Sequence, residues 1–403
     1  MTHDFNIATR NLIRQKYRSA ISLSAVIFGV CGLILTSGFV EWIFMELRET
    51  SIRSQLGHLQ ITRPGYWDEG KANPYQFLLP ESQLINSNPA HIKAIVPRLS
   101  FSGLISTGES TLSFIGEGVD KHEQEYFGDA LQISAGNHLS GNSSSQIILG
   151  EGLSRNLGVK IGDNVTLLVN TSHGGINAIE VTISGFFTTV SKSYDDNAIR
   201  LPIDTARKLL RVEGAHNWIV LLNHTEDTDL VLSILTNHLD QSKFEIIPWY
   251  QLADFYNKAL TLYSKQILAV KFIIAIIILL SILNAMSISV MERTGEIGTS
   301  MALGVKQSLI IRMFITEGIL IGCFGALLGI TIGYMLAMVI SSIGIPMPPP
   351  PGMSRGYIGE ILVTQSIVLE ALFLAVGTTF IASVYPAWRA SKMNIIDALR
   401  HNR

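Results

Sequence analysis

The chain has 403 residues, room for two or three units at about 100 to 200 residues each. Charged residues make up 15% against roughly 25% in an ordinary soluble domain, hydrophobic residues make up 47%, and mean hydropathy is +0.33. Disordered chains are excluded, and a net charge of −2 leaves no global basic field to hold a nucleic acid. The two cysteines, Cys31 and Cys323, each sit inside an apolar run, which excludes a disulfide framework and a CxxC metal or redox site.

In chain order, residues 1–18 form an arm carrying Arg10, Arg14, Lys16 and Arg18. Residues 19–40 hold no charge and are long enough to cross a hydrocarbon core of about 30 Å as a helix. This run exceeds the usual length of a signal-peptide core and no Ala-x-Ala site follows, so a retained first span is expected. Residues 41–265 are mixed in pattern. Strands are expected at His58–Thr62, Thr111–Ile115, Val165–Val169, Glu180–Ser184, Trp218–Leu222 and Phe244–Ile247. Helices should start near Gly150, Asp204 and Asp227, with Asp204 and Asp227 as N-caps. Turns fall at Ser140-Gly141-Asn142 and Gly162-Asp163-Asn164. An α+β domain is the reading. At its flanks, Trp42, Met45, Glu49, Ile52 and Leu56 continue the first span at helical spacing, and Leu252, Phe255, Ala259, Leu262 and Gln266 lead toward the next. These stretches read as stalk helices or as surface helices lying flat, since amphipathicity does not set direction.

Residues 266–291 give a second span, with an uncharged core from Phe272 to Met291. Residues 292–317 are charged and carry Arg293, Lys306 and Arg312. Residues 318–345 form a third span, ended by the proline run at Pro348–Pro351; 346–360 form a Pro-rich loop, 361–388 a fourth span with one charge, Glu370, and 389–403 a basic tail. Lys and Arg cluster in the arm, in 292–317 and in the tail, a net of +6 that places these three pieces on the cytoplasmic side. Residues 41–265 hold 17 basic and 25 acidic residues, a net of −8, and belong outside. The expected fold is an α-helical membrane protein with four transmembrane helices and a large extracytoplasmic α+β domain.

No enzyme chemistry is visible. The histidines are scattered without HExxH or other ligand spacing, Ser143-Ser144-Ser145 reads as a loop, no serine falls in GxSxG, and no GxxxxGK[ST] occurs. Any work with ATP therefore needs another subunit. Span three carries Gly318, Gly322, Gly325, Gly329 and Gly333, whose four-residue spacing suits close helix packing. Glu370, costly at a bilayer centre, is expected near the outer interface. The segment Met291-Glu292-Arg293-Thr294-Gly295-Glu296-Ile297 with Met301 and Leu303 has the look of a docking element, apolar side chains ringed by charge. Ordinary juxtamembrane anchoring is the competing reading of the same residues.

The sequences ERTGEIGTSMALG and FITEGILIGCFGALLGITIGY, together with ATRNLIRQKYRSA, GHLQI, MPPPPGMSRGY and YPAWRASKMNIIDALR, closely resemble the permease subunits of the MacB, LolC/LolE and FtsX family of ABC transporters, the mechanotransmission systems. The matches touch both ends of the chain and all four spans. The wording ERTGEIG is nearer to MacB, whereas GHLQI and the proline loop are nearer to LolE-like permeases. The resemblance implies a multi-pass bacterial inner-membrane protein with both termini cytoplasmic and a MacB-like periplasmic core domain. It implies a coupling helix fitted to a cytoplasmic ABC ATPase, mapped onto Glu292, Arg293, Glu296, Ile297, Met301, Leu303 and Gly304. ATP and Mg would be bound by that partner, with no cofactor in this chain. MacB proteins with a fused ATPase carry it before span one, where only some 18 residues stand here, so a separate ATPase chain is expected. A second permease, identical or related, is implied, with a periplasmic adaptor, chaperone or lipoprotein cargo as further partners and no nucleic acid. The function implied is lipoprotein release or export of a peptide or amphiphile by a non-catalytic subunit; the alternative is an FtsX-like regulatory scaffold that transmits ATPase state without transport.

Overall fold

A computed structural model describes residues 16–70, 74–80, 91–120, 126–127, 131–139, 145–189, 191–348 and 356–394. The arm before Lys16, His122, the turn at Ser140–Asn142, Ser143 and Ser144, residues 349–355 of the Pro-rich loop and the tail beyond Asn394 lie outside the described residues.

The first span and the helical stretch after it are one element, α1 (Lys16–Ser51), which passes into a π-turn at Ile52–Leu56. The turn closes by a bond from Gly57 N–H to Ile52 O of 2.8 Å. Gly57 has φ +65° and ψ −178°, and a Cβ there would fall 2.2 Å from Ile219 Cγ2, so only glycine fits this exit. The chain then runs through β1 (Leu59–Thr62), β2 (Ile92–Ser106), β3 (Thr111–Val119), β4 (Gln132–Gly136), β5 (Gln146–Gly150), α2 (Glu151–Leu157), β6 (Asn164–Asn170) and β7 (Ile176–Thr188). Next come β8 (Ala198–Pro202), α3 (Ile203–Leu210), β9 (Asn217–Leu222), α4 (Thr228–His238) and β10 (Glu245–Pro248). The remaining elements are α5 (Asp254–Glu292), α6 (Thr294–Ala302), α7 (Gln307–Ile343), the short strands β11 (Ile345–Met347) and β12 (Tyr357–Gly359), and α8 (Gln365–Ser391).

Two compact units result. A helical unit comprises Met1–Phe44, Ala259–Pro346 and Ile358–Arg403; a sheet unit comprises Met45–Lys258 and Met347–Tyr357.

In the sheet unit, β2 pairs with β3, β3 with β8, β8 with β5, β5 with β7, β7 with β6, and β6 returns to β2. This closes a hydrogen-bonded ring of six strands, which removes their free edges. Alternating side chains point inward, among them Leu99, Phe101, Ile105, Phe114, Leu167 and Ile183, and α2 and α3 add Leu153, Ala206 and Leu209 to the same core. Strand β2 spans 15 residues. Its first half leaves the ring to pair with β9, which pairs with β1, which pairs with β10. There Leu59, Ile61, Trp218 and Val220 pack with Val231 and Leu235 of α4.

The strands expected from alternation are all present. Of the two expected caps, Asp227 is in place and Asp204 is corrected. Pro202, not Asp204, holds the N-cap position of α3, because the ring-fixed φ of −57° at the end of β8 launches the helix and leaves Asp204 in its first turn. Asp227 holds the N-cap position of α4, although its carboxylate accepts from His91 Nδ1 at 3.0 Å and makes no bond to the helix amides.

In the helical unit α1, α5, α7 and α8 are each long and apolar enough to cross a membrane. Val26, Val30 and Ile34 of α1, Ile278, Ile282 and Met286 of α5, Phe314 and Ile321 of α7, and Ala371, Ala375 and Ala382 of α8 form one core. Helix α5 enters that core only through its second half, and Leu268, Phe272, Ile276 and Leu280 lie exposed at four-residue intervals along it. Glu370 of α8 is paired with Lys271 of α5.

Candidate functional site

The segment after α5 is built from side chains that stitch one helix end to the next. Arg293 takes the N-cap position of α6, and its carbonyl accepts from Ile297 N–H at 2.9 Å. Thr294 Oγ1 donates to the carbonyls of Val290 and Met291 at 3.0 and 2.8 Å, satisfying acceptors that the end of α5 leaves open. At the far end of α6, Gly304 has φ +90°, Gly304 N–H donates to Met301 O at 3.0 Å, and Val305 N–H donates to Ser300 O at 3.1 Å. These two bonds form a Schellman motif, whose left-handed position selects glycine.

Between these ends the seven residues mapped onto ATPase coupling separate into two sets. Ile297 is 4% exposed and lies in the core of the helical unit, and Met301, one turn on, packs against the same core. Glu292, Glu296, Leu303 and Gly304 are exposed, Leu303 at 82%. Arg293 belongs to the buried set by its stem and to neither by its charge. Its guanidinium lies 3.4 Å from Glu317 Oε2 and 3.5 Å from Glu296 Oε2, with its centre 5.6 Å from the ring of Phe314. Glu317 is 4% exposed. A carboxylate so buried requires a cation, and the aromatic face beneath adds a cation–π contact. Glu296 sits in the first turn of α6, where the amide dipoles favour negative charge. The result is a short helix pinned at its start by an ion pair and along one face by apolar contacts, presenting Leu303 at its other end.

The five glycines of α7 serve two neighbours. A Cβ on Gly318 would fall 1.7 Å from Ser383 Oγ and one on Gly322 2.2 Å from Thr379 Oγ1, both on α8. On Gly325 and Gly329 it would meet Val26 and Val30 of α1 at 2.7 and 2.8 Å, and on Gly333 it would lie 3.3 Å from Ile34 Cδ1. Backbones approach on both sides because no side chain intervenes.

The partners of Arg293 were not legible from the motif. Phe314 and Glu317 lie beyond a helix and a turn; the only sequence signal was an acidic residue directly before a long uncharged run. In the sheet unit a second buried ion cluster was missed: Arg200 Nη2 lies 3.1 Å and Arg98 Nη1 3.7 Å from Glu117 Oε2. Burial alone would raise the Glu117 carboxyl, but the two guanidinium groups more than offset this and hold it below the usual carboxylate range. Burial, reinforced by the Glu117 charge, pushes the nearby Tyr194 hydroxyl up.

His58, from the GHLQI stretch, accepts from Leu222 N–H through Nδ1 at 3.1 Å. Its Nε2–H therefore faces Thr225 Oγ1 at 3.1 Å, and that hydroxyl donates to Glu49 Oε1 at 2.8 Å. His216 accepts from Ser100 N–H through Nδ1 at 3.1 Å, which leaves Nε2–H to donate to Pro74 O at 3.0 Å. Burial lowers both imidazoles to about 4, so both are neutral links in the structure. Among the described residues no three His, Cys, Asp or Glu side chains gather as a metal site.

Comparison with known proteins matches residues 19–237 to the MacB-like periplasmic core domain and residues 268–395 to the FtsX-like permease C-terminal family. The chain belongs to the MacB-like and FtsX-like family of ABC transporter permeases. It is similar to the lipoprotein-releasing system transmembrane protein LolE of Haemophilus influenzae, 23% identical over 395 residues that cover 94% of this chain and 93% of that one. An ABC transporter permease of Methanocaldococcus jannaschii is 26% identical over 70% of this chain and 68% of its own length. Among solved structures, the periplasmic region of MacB from Actinobacillus actinomycetemcomitans aligns with a TM-score of 0.37 at 14% identity, over 51% of this permease and 95% of that chain. The permease thus joins the two matched regions through α5, with residues 292–304 inside the second.

Proposed function

We propose that this permease is the non-catalytic membrane subunit of an ABC system of the bacterial inner membrane, driven by a separate cytoplasmic ATPase that binds the ATP and Mg. In this reading both termini and the segment 292–304 face the cytoplasm, and the sheet unit faces the periplasm. The segregation of charge between +6 and −8 supports that orientation. The observation that carries the reading is the pinned helix α6 with Leu303 82% exposed at its end, flanked by the exposed carboxylates Glu292 and Glu296. An apolar side chain held at a fixed angle in a charged rim is what a docking pocket on a partner recognises.

The ATPase moves α6, and through Arg293, Glu317 and the α7 glycines that movement reaches the bundle. The exposed stripe of Leu268, Phe272, Ile276 and Leu280 suits lipid or a second permease, identical or related. Similarity to LolE over nearly the whole of both chains supports lipoprotein release as the output, with export of a peptide or other amphiphile as the broader class.

The test is co-purification with the partner ATPase. Leu303→Glu should abolish it while membrane insertion and the permease's own thermal unfolding stay unchanged, because Leu303 makes no core contact. Undiminished co-purification would remove α6 as the docking element.

A further inference from the structure

A helix that ends inside a folded domain must find donors for its last carbonyls. At the end of α1 the π-turn sends the chain away at Gly57, and the next amide, His58 N–H, is already committed to Val220 O at 2.9 Å. Two carbonyls of the turn are met instead by side chains of the sheet. Arg200 Nη2, from β8, donates to Ser54 O at 3.1 Å, and Gln60 Nε2, from β1, donates to Leu56 O at 2.9 Å. Arg200, Ser54 and Gln60 are 2%, 3% and 3% exposed, so water does not compete for these bonds.

The donors are themselves tied into a row that crosses five adjacent strands. Gln60 Oε1 accepts from Asn217 Nδ2 of β9 at 2.9 Å; Asn217 stands opposite Arg98 of β2; Glu117 of β3 bonds Arg98 and Arg200 together and stands opposite Arg200 in the ladder. Phe187 lies beneath the Arg200 guanidinium with its centroid at 5.6 Å, and Phe127 lies beneath that of Arg98 at the same distance. A cation at the carbonyl end of a long helix is also favoured by the helix dipole. Beside this row the His58–Thr225 relay holds Glu49, one turn before the π-turn, to the loop after β9.

We propose that Arg200 is a positioning residue that welds the end of α1 to the sheet, so that displacement of that helix end carries the ring of strands with it as one body instead of bending a hinge. The proposal rests on the reading above only for what displaces α1; the weld itself belongs to the permease alone, and its test needs no ATPase.

The experiment places spin labels at two exposed positions of the sheet unit, Glu46→Cys on α1 and Ser113→Cys on β3, in the full-length permease, otherwise free of cysteine, in lipid nanodiscs. Double electron–electron resonance should give one narrow distance distribution. Arg200→Gln, which keeps polarity but loses the cation and its fork, should broaden it at least twofold, and Arg200→Lys should restore a narrow distribution. Leu153→Ala, a truncation in the ring core away from the joint, should lower the unfolding temperature without broadening. A broad distribution in the parent protein, an unchanged one in Arg200→Gln, or equal broadening in Leu153→Ala would overturn the weld. If Arg200→Gln does not fold, Gln60→Met, which removes only the second tie, decides: broadening supports the weld and an unchanged width refutes it.

Discussion

The helical unit and the sheet unit each solve the same problem, the end of a long helix, with a buried arginine, a buried glutamate and an aromatic ring, yet they use the trio in opposite senses. At the end of α5 the arginine sits on the turn itself and the glutamate, Glu317, waits on the neighbouring helix. At the end of α1 the turn offers only bare carbonyls, and the arginine comes from the sheet with its glutamate behind it. The first arrangement fixes where a new helix begins, and Glu296 in that helix's first turn matches its positive pole. The second arrangement caps a negative pole and stops the helix. The difference teaches that a similar set of side chains starts a helix when the arginine sits on the turn and stops one when the arginine comes from a neighbouring strand.

The largest effect of a single substitution should come from breaking the first trio. Glu317→Leu leaves the Arg293 guanidinium without its buried carboxylate, at a cost of about 3 to 5 kcal/mol, whereas adding Arg293→Met removes the charge as well and should recover most of it. Thermal unfolding of both variants in detergent decides; a double variant no more stable than the single one would show that the pair is not what fixes α6.

Next comes packing, which the helical unit achieves through the glycines of α7 and the sheet-unit joint through Ile52, buried with Trp249 and Ala253. Gly318→Val sets a branched side chain against Ser383 and should cost about 1 to 3 kcal/mol, with Gly329→Val similar through Val30. The same melts would read out two separate seams if the losses add, and one shared seam if they do not.

Acid should separate the units without any substitution. His58 and His216 are both buried in the sheet unit and stay neutral in the fold down to about 4, while in the unfolded chain they take up protons near 6.5. Above pH 6.5 neither state binds the protons and stability is full. As pH falls from 6.5 toward 4, the unfolded chain gains about 1.4 kcal/mol per pH unit for each histidine, and the loss levels off below 4. Denaturant midpoints of the sheet unit at pH 7, 6, 5 and 4 should trace this slope, and His216→Gln should halve it. The smallest effect on stability belongs to Leu303→Ala, within about 0.5 kcal/mol, since a side chain in solvent has no packing to lose.

Hydropathy alone located the four long helices, because twenty uncharged residues in a row have few other uses. Alternation located β1, β3, β6, β7, β9 and β10. It passed over β2, whose Pro97 and Arg98 interrupt the pattern at the point where the strand leaves the ring, over β5, whose short apolar run carries no period, and over β8, whose run is broken by Arg200. The glycines of α7 were readable because their spacing is the geometry; that they serve two helices was not, since spacing names a face and not its partners. The ion trios were unreadable for a simple reason: Arg293 and Glu317 stand a helix apart, Ser54 and Arg200 a whole domain apart, and charge pairing leaves no period in a sequence.

Pairing of β1 with β10 has a consequence of its own. Leu59 stands opposite Pro248, so the polypeptide enters and leaves the sheet unit on neighbouring strands, about 4.8 Å apart. The first and last strands of the long insertion thus share one ladder, while Met347–Tyr357 joins the same unit from a separate stretch of the chain. Changes of length or sequence between those two strands can be absorbed with both ends still held in one ladder.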